Sequence, residues 1–315
     1  MFLSVWKINP DSPALADKMN RRARRRGSPL IRYARSAIAL GLLVLNSCLG
    51  RAELNNPTDV NAGPFAFLLI ELAAGNNKTT ELFVRSGLYA WFSADETAGG
   101  ASGDLIGLWG DLSGNGRDAI QNNPGQEPTL QNNGPNNRPY LLFDGTNDYL
   151  DLSAVQLNPG NSSLTILLVL RFATPASPQA VIMQRRGAGQ ESIFLYYNFP
   201  PICPSEFLAA SFGGQDICTY SSHPVGAWTV FSVRYDGTTY EIHRNGTLFG
   251  AAGGTTSGSI GGWLIGAHEN FTLGWLDGGI AELLVYERAL PDSERKQAEC
   301  YLSEKYAIQF QDGCG

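Results

Sequence analysis

Oxygen-bearing side chains recur at alternate positions in one stretch of this 315-residue chain. Asp111, Ser113 and Asn115 stand at i, i+2 and i+4, and Gly116 follows. A hard cation such as calcium needs several oxygens converging at about 2.3–2.6 Å, and alternate donors before a glycine turn can supply them. Asp118, Asp144 and Asp277 are further donors that neighbouring strands could bring in. The twelfth position counted from Asp111 is Asn122, so there is no bidentate closing carboxylate. The same residues also suit a hydrogen-bonded Asx and glycine turn with no metal. Calcium is the one cofactor the pattern suggests, with Asp111, Ser113, Asn115 and Asp118 as its candidate ligands.

A second chemistry is stacking. Aromatic rings at a surface can cover the apolar face of a pyranose while Asp and Asn accept its hydroxyls. Trp275, Trp263 and Tyr196 are candidates, together with Tyr197, and Asp277 stands beside Trp275. Trp275 is the strongest of these, because Gly274-Trp275-Leu276-Asp277-Gly278 reads as a loop before a strand. The competing account places each ring in a core. Catalytic spacing is missing: the chain holds no G-x-S-x-G, no H-E-x-x-H and no P-loop. Asp277 and Glu282 are five apart, which puts them on opposite faces of a regular strand. The sequence therefore predicts a protein that is not an enzyme.

The formal net charge of −6 hides two opposed parts. Residues 1–47 hold 9 Lys and Arg against 2 Asp and Glu, and the remainder holds 14 against 27. An acidic body without a basic stripe argues against nucleic acid as a partner. The basic excess, Arg21-Arg22-Ala23-Arg24-Arg25-Arg26 with Arg32 and Arg35, precedes the apolar run Ala37–Leu45. That run is too short to span a bilayer, and together they read as a signal segment. Leu45-Asn46-Ser47-Cys48 resembles a bacterial lipobox, which implies that Cys48 is lipidated and becomes the mature N-terminus. The alternative is an ordinary secretory signal with a chance cysteine, and Met19 is an alternative start. The reading divides the chain into residues 1–47 (signal), 48–85 (lipidated Cys48, tether and the apolar run Phe65–Ile70) and 86–315 (domain). Setting Cys48 aside leaves Cys203, Cys218, Cys300 and Cys314, an even number suited to an oxidising compartment. The simplest pairing is Cys203–Cys218 with Cys300–Cys314, one of three connectivities, and each loop would contribute about 3 kcal/mol.

The 36 glycines and 17 prolines imply many turns and short elements. Strands are predicted at Leu88–Phe92, Tyr140–Phe143, Val181–Met183, Ser192–Tyr197, Glu206–Phe212, Trp263–Ala267 and Gly279–Tyr286. Leu164–Phe172 is almost continuously apolar, as expected of a central strand covered on both faces. Asp236-Gly237 and Asn245-Gly246 mark hairpins that join Trp228–Tyr235, Thr239–Arg244 and Thr247–Phe249. One helix is predicted after Leu290-Pro291, with Asp292 or Ser293 as N-cap. Many strands with little helix between them predict an all-β fold: a two-sheet antiparallel β-sandwich with one C-terminal helix.

Four ordered stretches then resemble a known family. Asp111-Leu112-Ser113-Gly114-Asn115-Gly116-Arg117-Asp118-Ala119 resembles the D-x-S-G-N-G-x-D-A segment of laminin-G-like, concanavalin A-like domains. Phe143-Asp144-Gly145-Thr146-Asn147-Asp148-Tyr149-Leu150 resembles their F-D-G-x-x-D-Y-L. Gly278–Asp292 resembles G-x-I-A-E-x-x-V-Y-x-R-A-L-S-D, and Cys300–Ile308 resembles the closing Y-L-x-x-K-Y-x-I. The resemblance covers residues 86–310 and implies a jelly roll of two curved sheets. Glucanases of similar fold use an E-x-D-x-x-E strand that this chain lacks. Anchor, tether and resemblance together predict a lipid-anchored bacterial envelope lipoprotein, on the outer membrane or cell surface, that binds a glycan or an extracellular matrix protein. The alternatives are an envelope assembly module that binds another bacterial protein, and a glycoside hydrolase.

Overall fold

Apolar runs divided by glycine turns form strands where the alternation predicts them, and also at a few shorter places. The computed structural model describes residues 84–97, 100–157, 163–175, 178–184, 193–199, 203–212, 215–254, 261–268, 271, 274–311 and 313–314. All belong to the unit Thr80–Gly315. Cys48, the signal segment and the apolar run at residues 65–70 lie outside the described residues.

In chain order the strands are β1 (Leu88–Ser93), β2 (Leu108–Trp109), β3 (Ala119–Ile120), β4 (Thr129–Gln131), β5 (Tyr140–Asp144), β6 (Leu150–Leu152), β7 (Leu164–Phe172) and β8 (Gln179–Gln184). They continue with β9 (Ile193–Tyr197), β10 (Leu208–Phe212), β11 (Gln215–Cys218), β12 (Thr229–Tyr235), β13 (Thr239–Arg244), β14 (Thr247–Gly253), β15 (Trp263–Ile265) and β16 (Asp277–Tyr286). Helix α1 (Asp292–Tyr306) closes the domain. Strands β2, β3, β4, β6 and β11 went unread because two to four residues carry too little period to register.

The strands form two 8-stranded sheets. One runs β14-β13-β12-β7-β16-β5-β4, with β1 also paired to β16; the other runs β11-β10-β9-β8-β15-β6-β3-β2. The fold is an antiparallel β-sandwich with a C-terminal helix, as the sequence predicts. Strand β7 lies between β12 and β16, and its outward face is covered too, which accounts for its apolar run. Inward-facing Phe143, Leu168, Phe172, Leu195, Phe231, Trp263 and Leu283 make the core between the sheets. The Asn245-Gly246 turn has positive φ at both central residues, 48° and 89°, the backbone that favours this dipeptide in tight hairpins.

Helix α1 packs on the outer face of the first sheet through Ala298, Tyr301, Leu302 and Tyr306, against Leu167, Val169, Ala281 and Leu284. Its N-cap is Pro291, in extended conformation, and Asp292 is the first helical residue, so the expected Asp or Ser cap is one position out. Asp292 and Glu294 instead lie in the first turn, where the helix dipole favours anions. The disulfides are Cys203–Cys218 and Cys300–Cys314, the simplest pairing. Among the described residues no helix is long and apolar enough to cross a membrane.

Candidate ligand-binding rim

The Asp111 loop is a hydrogen-bonded knot. The Oδ1 atom of Asp111 accepts the Trp91 amide at 3.0 Å and the Ser113 amide at 2.9 Å. Its Oδ2 accepts the Arg117 amide at 2.9 Å and the Ser113 hydroxyl at 2.8 Å. Partial burial pushes the Asp111 carboxyl upward, but the amides of Arg117, Ser113 and Trp91 outweigh it and hold the pKa below the usual value. Asp118 Oδ1 accepts the Asp111 amide, and Asn115 Nδ2 donates to the Leu88 and Tyr89 carbonyls. These contacts tie the loop to the free edge of β1. Protein donors thus occupy both carboxylate oxygens of Asp111, and among the described residues no three His, Cys, Asp or Glu side chains gather as a metal-ligating group.

The aromatic candidates separate by burial. Trp263 is fully buried in the core, and Tyr196 is buried outside it, stacked on Phe199 at 5.1 Å. Neither can offer a ring face to a sugar, which corrects that expectation. The reason is register: Trp263 pairs Leu152 and Gln184 on a central strand, and Tyr196 lies beneath the segment that carries Cys203. Tyr197 faces inward and is buried as well. Trp275 and Asp277 are half-buried.

Trp275 does not stand alone. Its ring centroid is 6.3 Å from that of Tyr149 and 6.0 Å from that of Phe271, and Tyr149 and Phe271 are 4.9 Å apart. Phe271 is 38% exposed, although most large apolar side chains of the domain are buried. Connections meet here from several strands. The Tyr149 amide donates to the Gln126 carbonyl, and Asn147 Nδ2 donates to that of Gly125. The Gly145 amide donates to the Leu276 carbonyl, which joins the β5–β6 turn to the loop before β16. From the β7–β8 connection, Thr174 Oγ1 donates to Asp277 Oδ2 at 2.6 Å, while the Asp277 amide donates to Gln179 Oε1. Gly145 has φ of +74°, and a Cβ there would stand 2.8 Å from that of Asp277, so this close approach requires glycine.

The rim is acidic. Asp277 pairs Asp144 across β16 and β5, and Asp144 Oδ1 accepts the Thr146 and Asn147 amides. Asp148 is buried, with Oδ2 accepting the Asp144 amide at 3.0 Å. Burial, then the nearby Asp144 charge, raises its pKa to about 6. Tyr149 and Phe271 were missed as site residues. Tyr149 lies within a recognised motif but reads there as a strand residue, and Phe271 has no periodic neighbour to mark it.

Glu282 is the other informative carboxylate. The β16–β7 register slips between Ile280 and Glu282, so Ala281 and Glu282 both face outward. Glu282 and Asp277 therefore share one face, against the expectation from a regular strand. Glu282 is fully buried beneath α1. It accepts Trp91 Nε1 and Tyr301 Oη at 2.7 Å, Lys305 Nζ at 2.6 Å and Tyr306 Oη at 2.8 Å.

Residues 144–294, just under half of the chain, match the family model of the concanavalin A-like lectin/glucanases superfamily. The two-sheet sandwich with its C-terminal helix is similar to the domains that model describes. Among solved structures, sialidase from Trypanosoma rangeli in complex with sialic acid is similar at a TM-score of 0.51 and 15% identity, over 70% of this chain and 33% of that one. The binding domain of botulinum neurotoxin serotype G is similar at a TM-score of 0.51 and 14% identity, over 69% of this chain and 51% of that one. These likenesses are of fold. This chain spans about a third of the length of the sialidases it matches. No curated protein matches the sequence.

Proposed function

We propose that this concanavalin A-like domain is a non-catalytic glycan-binding module, displayed from the bacterial envelope on a lipid attached to Cys48. The observation that carries it is the Tyr149–Phe271–Trp275 cluster, aromatic rings within 6.3 Å of one another at a loop rim. Rings left part-exposed can cover the C–H face of a pyranose, and Asp144 and Asn147 beside them offer polar atoms to its hydroxyls. Glu282 supports the non-catalytic reading: four protein donors surround it and no surface of it is open to a substrate.

The test is a glycan array probed with the purified protein and its Trp275→Ala variant. Binding to neutral glycans that W275A reduces by about fivefold is expected, since stacking contributes on the order of 1 kcal/mol per ring. Array binding untouched by W275A, or absent altogether, would set this reading aside. Repeating the array with EDTA tests the calcium reading of Asp111, Ser113, Asn115 and Asp118. Labelled palmitate entering the wild-type chain but not Cys48→Ser tests the anchor.

A further inference from the structure

Arg171 is held differently from most of the other described arginines. Arg138, Arg234, Arg288 and Arg295 each bind a carboxylate, and Arg117 and Arg244 donate to backbone carbonyls. Arg171 has neither. Its Nη2 is 3.4 Å from Tyr140 Oη, and its Nε is buried with no acceptor. The guanidinium carbon instead lies 5.4 Å from the Tyr140 ring centroid and 5.2 Å from that of Trp228, while the two rings meet edge to face at 5.0 Å.

The backbone builds this arrangement. Arg171 on β7 pairs Gly279 on β16, which pairs Leu142 on β5, so the three form one row on the outer face of the first sheet. A Cβ at Gly279 would meet Tyr140 Cδ2 at 2.6 Å and Trp228 Cη2 at 2.8 Å, so the glycine is what lets both rings lie down over β16. Two charged groups share this face in the next row, Asp277 and Asp144. Both are engaged elsewhere, Asp277 by the Thr174 hydroxyl and Asp144 by the Thr146 and Asn147 amides. Arg171 is half-buried, as is Trp228.

A guanidinium fixed by flanking rings has already lost its rotamer freedom, and its planar donors match a carboxylate in bidentate geometry. The half-exposed Trp228 ring beside it suits the apolar face of a pyranose. The geometry points to Arg171, Trp228 and Tyr140 as a second binding site, taking a carboxylated sugar of the uronic acid type. The carboxylate sits on the Arg171 fork and the sugar ring lies against Trp228. This site is built from side chains other than those of the Tyr149–Phe271–Trp275 rim.

Isothermal titration of the full-length protein with trigalacturonate, its methyl ester and acetate tests the site. Trigalacturonate is expected to bind at least about tenfold more tightly than the ester, because a charge-assisted bidentate pair is lost on esterification. Arg171→Gln should lose about tenfold or more, and Arg171→Lys should lose part of that. Thermal unfolding followed by circular dichroism confirms that each variant is folded. Equal affinity for acid and ester in the wild type, which requires no variant, would overturn the inference. So would unaltered binding by a folded R171Q, or no binding of trigalacturonate at all. Acetate binding as tightly as trigalacturonate would overturn the sugar and leave a bare carboxylate site.

Discussion

Asp277 and Glu282 sit on the same face of the same strand, and their surroundings are opposite. Glu282 is sealed under α1 with a lysine, two tyrosine hydroxyls and a tryptophan N–H on its oxygens. Lys305 also reaches Ser93 and Asp95, and Asp95 holds Arg138, which donates to the Lys305 carbonyl. That network clasps β1, β16 and the C-terminal helix into one body. Asp277 opens onto the rim, where the aromatic side chains are part-exposed. The contrast teaches that this sheet face is divided: a satisfied, dry polar cluster at one end fixes the scaffold, and the other end is left for a ligand.

The largest break is at the clasp. Lys305→Met leaves Glu282 buried without its cation, which costs about 3–5 kcal/mol. At about 2–4 °C per kcal/mol for a domain of this size, Tm should fall by roughly 10 °C. Glycan binding measured well below Tm should persist. A Tm shift of less than about 2 °C would show that the clasp does not hold the helix in place.

Acid acts next. His223 is caged by Phe172, Tyr197 and Phe231, and both its ring nitrogens lack partners. Burial, then Arg244, lowers its pKa to about 4. His243 is lowered to about 4 by burial and then by Arg295. Both histidines are neutral in the fold and take up protons more readily when unfolded. Stability is therefore full above pH 6.5 and lost as pH falls toward 4, by up to roughly 3 kcal/mol per histidine. Tm against pH should show that slope, and His223→Phe should flatten it. An unchanged slope in a folded H223F would remove His223 from the account.

At the rim the sign reverses. The Asp148 pKa is raised to about 6, so its proton stabilises the fold below about pH 3.8 and that contribution is lost as pH rises through 6. Asp148→Asn keeps an acceptor for the Asp144 amide without the charge. It should stabilise the protein at pH 8 by about 1–2 kcal/mol, with the gain vanishing near pH 4. A destabilised D148N at pH 8 would mean that the ionised carboxylate is needed there. The smallest stability effect belongs to W275A, within about 1 kcal/mol for a part-exposed side chain, although its effect on glycan binding is expected to be large.

Much of this was legible residue by residue. Leu164–Phe172 announced a central strand, Asn245-Gly246 a hairpin, and Ala298, Tyr301, Leu302 and Tyr306 the buried stripe of a helix. Trp263 and Tyr196 were not legible as buried, because an aromatic ring in a strand looks the same in sequence whichever face it takes. Glu282 was misplaced by a single extra residue, since strand parity reverses at a β-bulge and no residue type marks this one.

What the sequence by itself determined was the class of fold, the helix and the order of the elements, because period, turn chemistry and apolar content are local properties. Only the tertiary structure decided which side chains meet: Tyr149 with Phe271 and Trp275, Glu282 with Lys305, and Arg171 between Tyr140 and Trp228. These encounters join residues far apart in the chain, and strand pairing, bulges and the packing of sheet against helix set them, none of which leaves a mark within any one segment.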